Sequence, residues 1–153
     1  MSSLFLLCYY LNMNISFKIY DKLPLEAKEI RIVVFVKEQG FIDEFDESDN
    51  DAIHIVMFLN DIAIGTSRII FSKEHDSYMI GRFTIIKEQR NKGFGTKLIE
   101  FTESEIIHRF GHIQIAVSAQ ERAIDFYKKM GYILTNETYL DQNYPHTLMI
   151  KNS

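Results

Sequence analysis

The stretch EQRNKGFGTKLIEF, Glu88 to Phe101, sets Gly93 and Gly95 one residue apart, behind Arg90 and Lys92 and ahead of an apolar run. Without a Cβ, glycine lets backbone N–H groups converge on an anion, and the free amides of a helix's first turn add a positive dipole end. Phosphate-binding glycine turns differ in spacing. A Walker loop spaces its glycines more widely and puts lysine directly after the second, whereas here Thr96 precedes Lys97. A dinucleotide fingerprint needs a third glycine, where Leu98 stands, and a turn fused to the end of a strand. What survives is Arg90-x-x-Gly93-x-Gly95 leading into a helix. Such a turn suits a pyrophosphate, with Arg90 and Lys92 as nearby cations and no metal required.

The surrounding elements follow from periodicity. Ile15 to Tyr20 alternates like a half-buried strand, and Pro24 opens a helix closed by Gly40, with Leu25, Ile30, Val33, Val34 and Val36 on its apolar surface. The next segment, FIDEFDESDND, carries six carboxylates between Asp43 and Asp51. AIHIVMFL and IAIGTSRIIF flank the turn dipeptide Asn60-Asp61 and predict a hairpin. SYMIGRFTII follows the polar turn Lys73–Asp76 as a further strand. Thr96–Phe110 is the next helix, ended by Gly111, and then come the strand HIQIAVS and the helix AQERAIDFYKKM, stopped by Gly131. Tyr132–Leu134 and His146–Lys151 close the chain as strands around a polar loop. The order β-α-β-β-β-α-β-α-β-β predicts an α/β (α+β) mixed sheet, mostly antiparallel, with one right-handed parallel crossover and helices on both faces.

Composition narrows the class. The 153 residues are 46% hydrophobic and 25% charged with only two prolines, so the chain reads as an ordered globule, one domain over 13–153. A formal net charge of −4 argues against a nucleic-acid face. Leu4–Leu11 is an apolar run of eight residues, about 12 Å of helix, too short for a bilayer. No lysine or arginine precedes it, as a secretory signal would require. Residues 1–12 are expected to be an extension or an upstream start rather than an anchor. Cys8, the single cysteine, excludes an internal disulfide, and the expected compartment is the cytoplasm.

The stretch IGRFTIIKEQRNKGFGTKLIEF resembles the acetyl-CoA-binding core of the GNAT superfamily of N-acetyltransferases, whose signature is Gln/Arg-x-x-Gly-x-Gly/Ala after the fourth strand. AQERAIDFYKKMGYI is similar to that family's Ala-x-x-Phe-Tyr-x-x-x-Gly-Phe helix, with Tyr132 in place of the phenylalanine. VFVKEQGF, DEFDESDNDAIHIV and YPHTLMI further resemble the small bacterial ElaA-like branch. The resemblance implies a GNAT-type acyl-CoA N-acyltransferase fold with acetyl-CoA as co-substrate. It implies that Phe83, Thr84 and Ile85 bind the pantetheine arm through main-chain groups, with the Ile85 amide at the thioester oxygen. It places the pyrophosphate on Arg90, Asn91, Lys92, Gly93, Phe94, Gly95 and Thr96. Gln120 stands where many relatives carry asparagine, and Tyr127 where many place the tyrosine that protonates the departing thiolate.

Acetyl transfer needs a neutral amine, yet an alkylammonium of pKa about 10.4 is mostly protonated at neutral pH, which withholds about 4–5 kcal/mol of nucleophile. A carboxylate or histidine is the natural base. Glu44, Asp46 or Glu47 would serve, or attract a cationic acceptor, if the acidic segment reaches the cleft mouth; otherwise the run is a solvated face. It lacks the central glycine and closing glutamate of a calcium loop. His54 and His146 are the other base candidates, although His54 inside an apolar strand also reads as a core histidine. Tyr127 has Ala123, Ile124, Phe126 and Met130 around it, so periodicity alone also allows a packing role. The function expected is acetyl transfer to a primary amine of a small molecule or peptide, by direct attack in a ternary complex. The rival is a non-catalytic acetyl-CoA sensor or subunit, which has no use for Tyr127 or a base. Partners are acetyl-CoA and an amine, without nucleic acid or membrane, and a homodimer is left open.

Overall fold

The computed structural model describes residues 13–153; the expectation for residues 1–12, and Cys8 with it, lies outside that range. Seven strands form one sheet: β1 (Ile15–Tyr20), β2 (Ile53–Leu59), β3 (Ile62–Ser72), β4 (Ser77–Ile85), β5 (Gln114–Gln120), β6 (Ile133–Asp141) and β7 (Tyr144–Asn152), in spatial order β1-β2-β3-β4-β5-β7-β6. Every neighbouring pair is antiparallel except β4–β5. The helices are α1 (Leu25–Arg31), α2 (Phe94–Phe110) and α3 (Ile124–Lys129). Alternation along β2 decides which face each covers. Val56 and Phe58 pack with Ala27 of α1, whereas Ile55 and Met57 join Leu98, Ile99 and Ile106 of α2 in the main core. No helix among the described residues is long and apolar enough to cross a membrane.

Four local departures from the expected elements matter. Beyond α1 the chain continues as a π-helix over Ile32–Glu38, where the Gln39 N–H donates to the Val34 carbonyl five residues back, at 3.0 Å. The β-branched run Ile32, Val33, Val34 and Val36 crowds a normal α-turn, and the wider turn relieves it. Helix α2 begins at Phe94, two residues ahead of the expected Thr96, because Gly93 at φ 82° takes the left-handed N-cap position. The acidic segment forms a short 3-10 turn, Glu47–Asn50. The last hairpin is longer than its apolar pattern suggests: Gln142 (φ 48°) and Asn143 (φ 68°) make a tight two-residue turn, so most of the expected polar loop is strand.

Candidate active site

Strands β4 and β5 pair in parallel only at Tyr78–Ile115, Met79–Ala116 and Ile80–Val117, and then part. A bulge in β4 drives the separation. Arg82 adopts φ 49°, and the β3–β4 register slips between Thr66 and Arg68. Beside the bulge Gly65 is closely packed: a Cβ there would sit 2.5 Å from Ile85 Cδ1 and 3.0 Å from the Thr84 carbonyl oxygen, so a side chain would force both to shift. The gap is a cleft of about 530 Å³, within the usual size for small-ligand sites. Gly81–Thr84 form one wall and Ser118 and Gln120 the other, with Tyr127 between them. The segment after the π-helix contributes Gln39 and Phe41, and the β6–β7 hairpin contributes Asp141 and His146. These two elements are laced together, as the Gln39 carbonyl accepts from the Tyr144 hydroxyl at 2.9 Å and the Ile42 N–H donates to Gln142 at 2.5 Å, while Gln39 Oε1 accepts from Gln120 of β5 at 2.9 Å.

The glycine turn adjoins one end of this cleft. The Ile86 N–H donates to the Ile64 carbonyl on β3 (2.9 Å), so by strand alternation the N–H and C=O of Ile85 face the opposite edge, where β5 has departed. The Ile85 carbonyl accepts from Arg90 Nε at 2.8 Å. Asn91 (φ 62°) and Gly93 (φ 82°) then turn the chain into α2, whose first turn has no side-chain cap. Its leading amides are therefore free to bind an anion. The Phe94 side chain is buried in the core, so the turn is anchored and offers only main chain there. At Gly95 an added Cβ would meet nothing nearer than the Phe126 ring at 3.6 Å, so no contact inside the protein demands glycine. Of the residues proposed from sequence for the coenzyme, Phe83, Thr84, Arg90, Asn91 and Gln120 line the cleft. Ile85, Lys92, Gly93, Phe94, Gly95 and Thr96 do not line it and would act from its rim or through the backbone. Lys92 is exposed and donates to Gln89 at 3.2 Å.

Tyr127 is 6% exposed and lines the cleft, packed among the rings of Phe83, Phe126 and Tyr132. Burial raises its pKa well above that of an ordinary phenol, so the hydroxyl keeps its proton.

The base candidates separate by position. Glu44 is 1% exposed and lies in an ion cluster beneath the sheet, with Oε1 2.7 Å from Arg31 Nε and 2.9 Å from Arg82 Nε. Burial raises its pKa, and the Arg82 and Arg31 charges pull the other way. Asp49 bridges Arg31 (2.8 Å) and Arg68 (3.0 Å), and Asp46 also meets Arg68 at 3.0 Å. His54 is buried beside them, its Nε2 2.9 Å from the Asp49 carbonyl; burial lowers its pKa and keeps it neutral. The acidic segment is thus only partly a solvated face: it straps α1 to β2, β3 and β4. Glu44, Glu47 and His54 do not line the cleft, and Glu47 is exposed. His146 does line it. The His146 Nδ1–H donates to the Tyr144 carbonyl at 2.8 Å, which leaves the lone pair on Nε2. The ring is stacked on Tyr139, 5.9 Å between centroids.

Sequence reasoning did not single out Gln39, Arg82, Ser118 or Asp141, all of which line the cleft. A signal for Arg82 existed: an arginine in the apolar run MIGRFTII must find a counter-charge. Glu74, His75 and Glu137 bring ligand atoms within 4.8 Å of one another, a geometry that would suit a metal, but none of them lines the cleft.

This arrangement of splayed strands, uncapped glycine turn and buried tyrosine coincides with a family match: the family described as Acetyltransferase (GNAT) domain matches residues 26–153. The chain belongs to the GNAT acetyltransferase family. This GNAT chain is 32% identical over 131 residues to the uncharacterized N-acetyltransferase YjcF of Bacillus subtilis, covering 83% of itself and 91% of that protein. Its fold matches the crystal structure of Escherichia coli ElaA with a TM-score of 0.80 at 25% identity, over 91% of this chain and all (100%) of the other. An aminoglycoside 6'-N-acetyltransferase complexed with coenzyme A shares the fold at a TM-score of 0.71 and 16% identity, over 90% of this GNAT chain and 96% of that one.

Proposed function

We propose that the protein is an acetyl-CoA-dependent N-acetyltransferase that acetylates a primary amine by direct attack in a ternary complex. The observation that carries this reading is the β4–β5 gap opening onto the uncapped glycine turn. It offers a slot for an extended arm, ended by main-chain donors for a diphosphate. Coenzyme A complexes among proteins of this fold support the choice of ligand. Bound acetyl-CoA supplies an activated thioester.

The chain's own groups supply the rest. Amides of Gly93, Phe94, Gly95 and Thr96 hold the diphosphate, and the backbone edge Phe83–Ile85 aligns the pantetheine arm. The Ile85 N–H, pointing into the gap, donates to the thioester oxygen as charge develops there. His146 Nε2 takes the proton from the attacking amine, directly or through water. Tyr127 gives its proton to the departing sulfur. Transfer is direct, with no acyl-enzyme. Aromatic walls from Phe41, Phe83 and Tyr127 exclude water from the reacting centre.

A thiol-release assay with acetyl-CoA and a panel of amines tests the reading. Turnover with at least one amine is expected, lost together with coenzyme binding in Gly95→Glu. Absence of turnover with every amine, while coenzyme A still binds, would leave a binding protein in place of an enzyme.

A further inference from the structure

Asp141 is the one carboxylate among the described residues that line the cleft. It forms no ion pair among those residues. The cleft's cations are disposed differently. Arg82 is held by Glu44 and Asp46, and Arg90 by Glu38. Arg122 sits at the same end as Arg90, since both charges act on Glu38. Arg90 and Arg122 thus lie toward the glycine turn, Arg82 is neutralised by the acidic segment, and the single unpaired carboxylate belongs to the β6–β7 hairpin.

Register places Asp141 more closely. Tyr139 faces His146, Asp141 faces Tyr144, and His146 in turn faces Gln120 of β5. Residues two apart on a strand share a face, so Tyr139, Asp141, Tyr144, His146 and Gln120 point to one side of the sheet. On that side the Tyr139 hydroxyl is hydrogen-bonded to Ser118 in the cleft wall. Burial raises the pKa of this hydroxyl, and the charges of Glu137 and Asp141 push it further, which puts Asp141 within electrostatic reach. Asp141 and His146 are diagonal cross-strand neighbours, about 7–8 Å apart.

His146 offers the reacting amine a neutral lone pair on Nε2, whereas the unpaired Asp141 carboxylate suits an ammonium that keeps its charge. We propose that Asp141 binds a second, non-reacting cation of the acceptor while the reacting amine lies at His146, making the preferred acceptor an aliphatic diamine or polyamine. A chain of about four or five methylenes matches the diagonal separation. The inference rests on the transferase reading above and specifies its acceptor.

The test compares kcat/KM for 1,4-diaminobutane and n-butylamine in the wild type, Asp141→Asn and Asp141→Glu, with coenzyme A affinity measured by calorimetry as a check on the fold. Wild type is expected to favour the diamine by about tenfold or more, the worth of one charged hydrogen bond. Asp141→Asn should bring the ratio close to one, mainly through KM for the diamine, and Asp141→Glu should restore part of it. A wild-type ratio near one, or equal losses for both amines in Asp141→Asn, would overturn the assignment while leaving the transferase reading intact. Failure of every amine to release thiol would overturn both.

Discussion

Arg90 and Glu38 form a two-pronged pair, Nη1 to Oε2 at 2.6 Å and Nη2 to Oε1 at 2.9 Å. The hydrogen bond from Arg90 holds the Glu38 carboxyl below the usual range against the opposing effect of burial, so both partners stay charged. With Nε bound to the Ile85 carbonyl, the guanidinium clips the end of the π-helix to the strand that borders the gap. It is not a free cation awaiting phosphate.

On the proposed reading, in which a diphosphate would also draw on Arg90, Glu38 competes with it for the guanidinium. Glu38→Gln is expected to tighten coenzyme A binding about 3- to 10-fold at low ionic strength, an advantage that fades as salt rises. Adding Arg90→Ala should erase the gain. Calorimetric titration of the single and double variants at two salt concentrations measures both effects.

Tyr127→Phe removes one hydroxyl from a ring already buried among aromatics, so packing should survive. The expected result is a kcat lower by about 10²-fold, with coenzyme A affinity within about twofold of wild type. Steady-state kinetics beside calorimetry separates the two quantities.

His146 is the base candidate whose ring lines the cleft, with its Nε2 lone pair left free. His146→Gln should lower kcat/KM by about 10²-fold with coenzyme A affinity little changed. The corresponding change at His54 should alter stability and leave kcat/KM nearly unchanged. Steady-state kinetics beside calorimetry and urea unfolding of both variants checks this.

The ion cluster makes stability pH-dependent. Burial pushes the Asp49 carboxyl up, but hydrogen bonds and charges from Arg31 and Arg68 outweigh it and bring it to about 2, below the ordinary 3.8. The folded state thus binds fewer protons than the unfolded chain between those values. Asp49's contribution is fully present above the ordinary value and is lost as pH falls toward 2. It amounts to about 2 kcal/mol. His54, with its pKa lowered, also loses stability as pH falls below 6.5, whereas Glu44, with its pKa raised, loses stability as pH rises above 4.5. At neutral pH, Asp49→Ala removes the carboxylate shared by two buried guanidiniums, leaving Arg31 on Glu44 and Arg68 on Asp46, and should cost about 1.5–3 kcal/mol. Urea unfolding of wild type and Asp49→Ala from pH 7 down to pH 3 should show the gap narrowing in acid.

Much of the fold was legible because its signals are local. Alternation in Ile15–Tyr20, the dipeptide Asn60-Asp61 and the glycine stops Gly40, Gly111 and Gly131 each act within a few residues. The final hairpin was read short because Gln142-Asn143 lacks the glycine that usually marks a left-handed turn. The π-helix left no periodic trace to distinguish it from α. The ion cluster was hidden for a different reason. Arg31, Arg68 and Arg82 are far apart in sequence and meet the acidic segment only through the sheet's lateral order. Each lies in an apolar stretch, KEIRIVVF, GTSRIIF or MIGRFTII, and a cation there must be paired; that rule would have assigned the acidic run to them. At the candidate site the glycine turn, Tyr127 and His146 could be picked out from sequence, whereas Asp141 and Gln39 enter the cleft through long-range pairing alone.

On the proposed reading, the glycine turn and the open edge of β4 grip a coenzyme A ester by main chain. Backbone amide resonances of the labelled protein, followed during titration with acetyl-CoA, report that grip residue by residue. Large shifts at Ile85, Gly93, Gly95 and Thr96, with the β6 amides from Ile133 to Glu137 unmoved, are the predicted result. Saturable binding that left those four amides unshifted would contradict it.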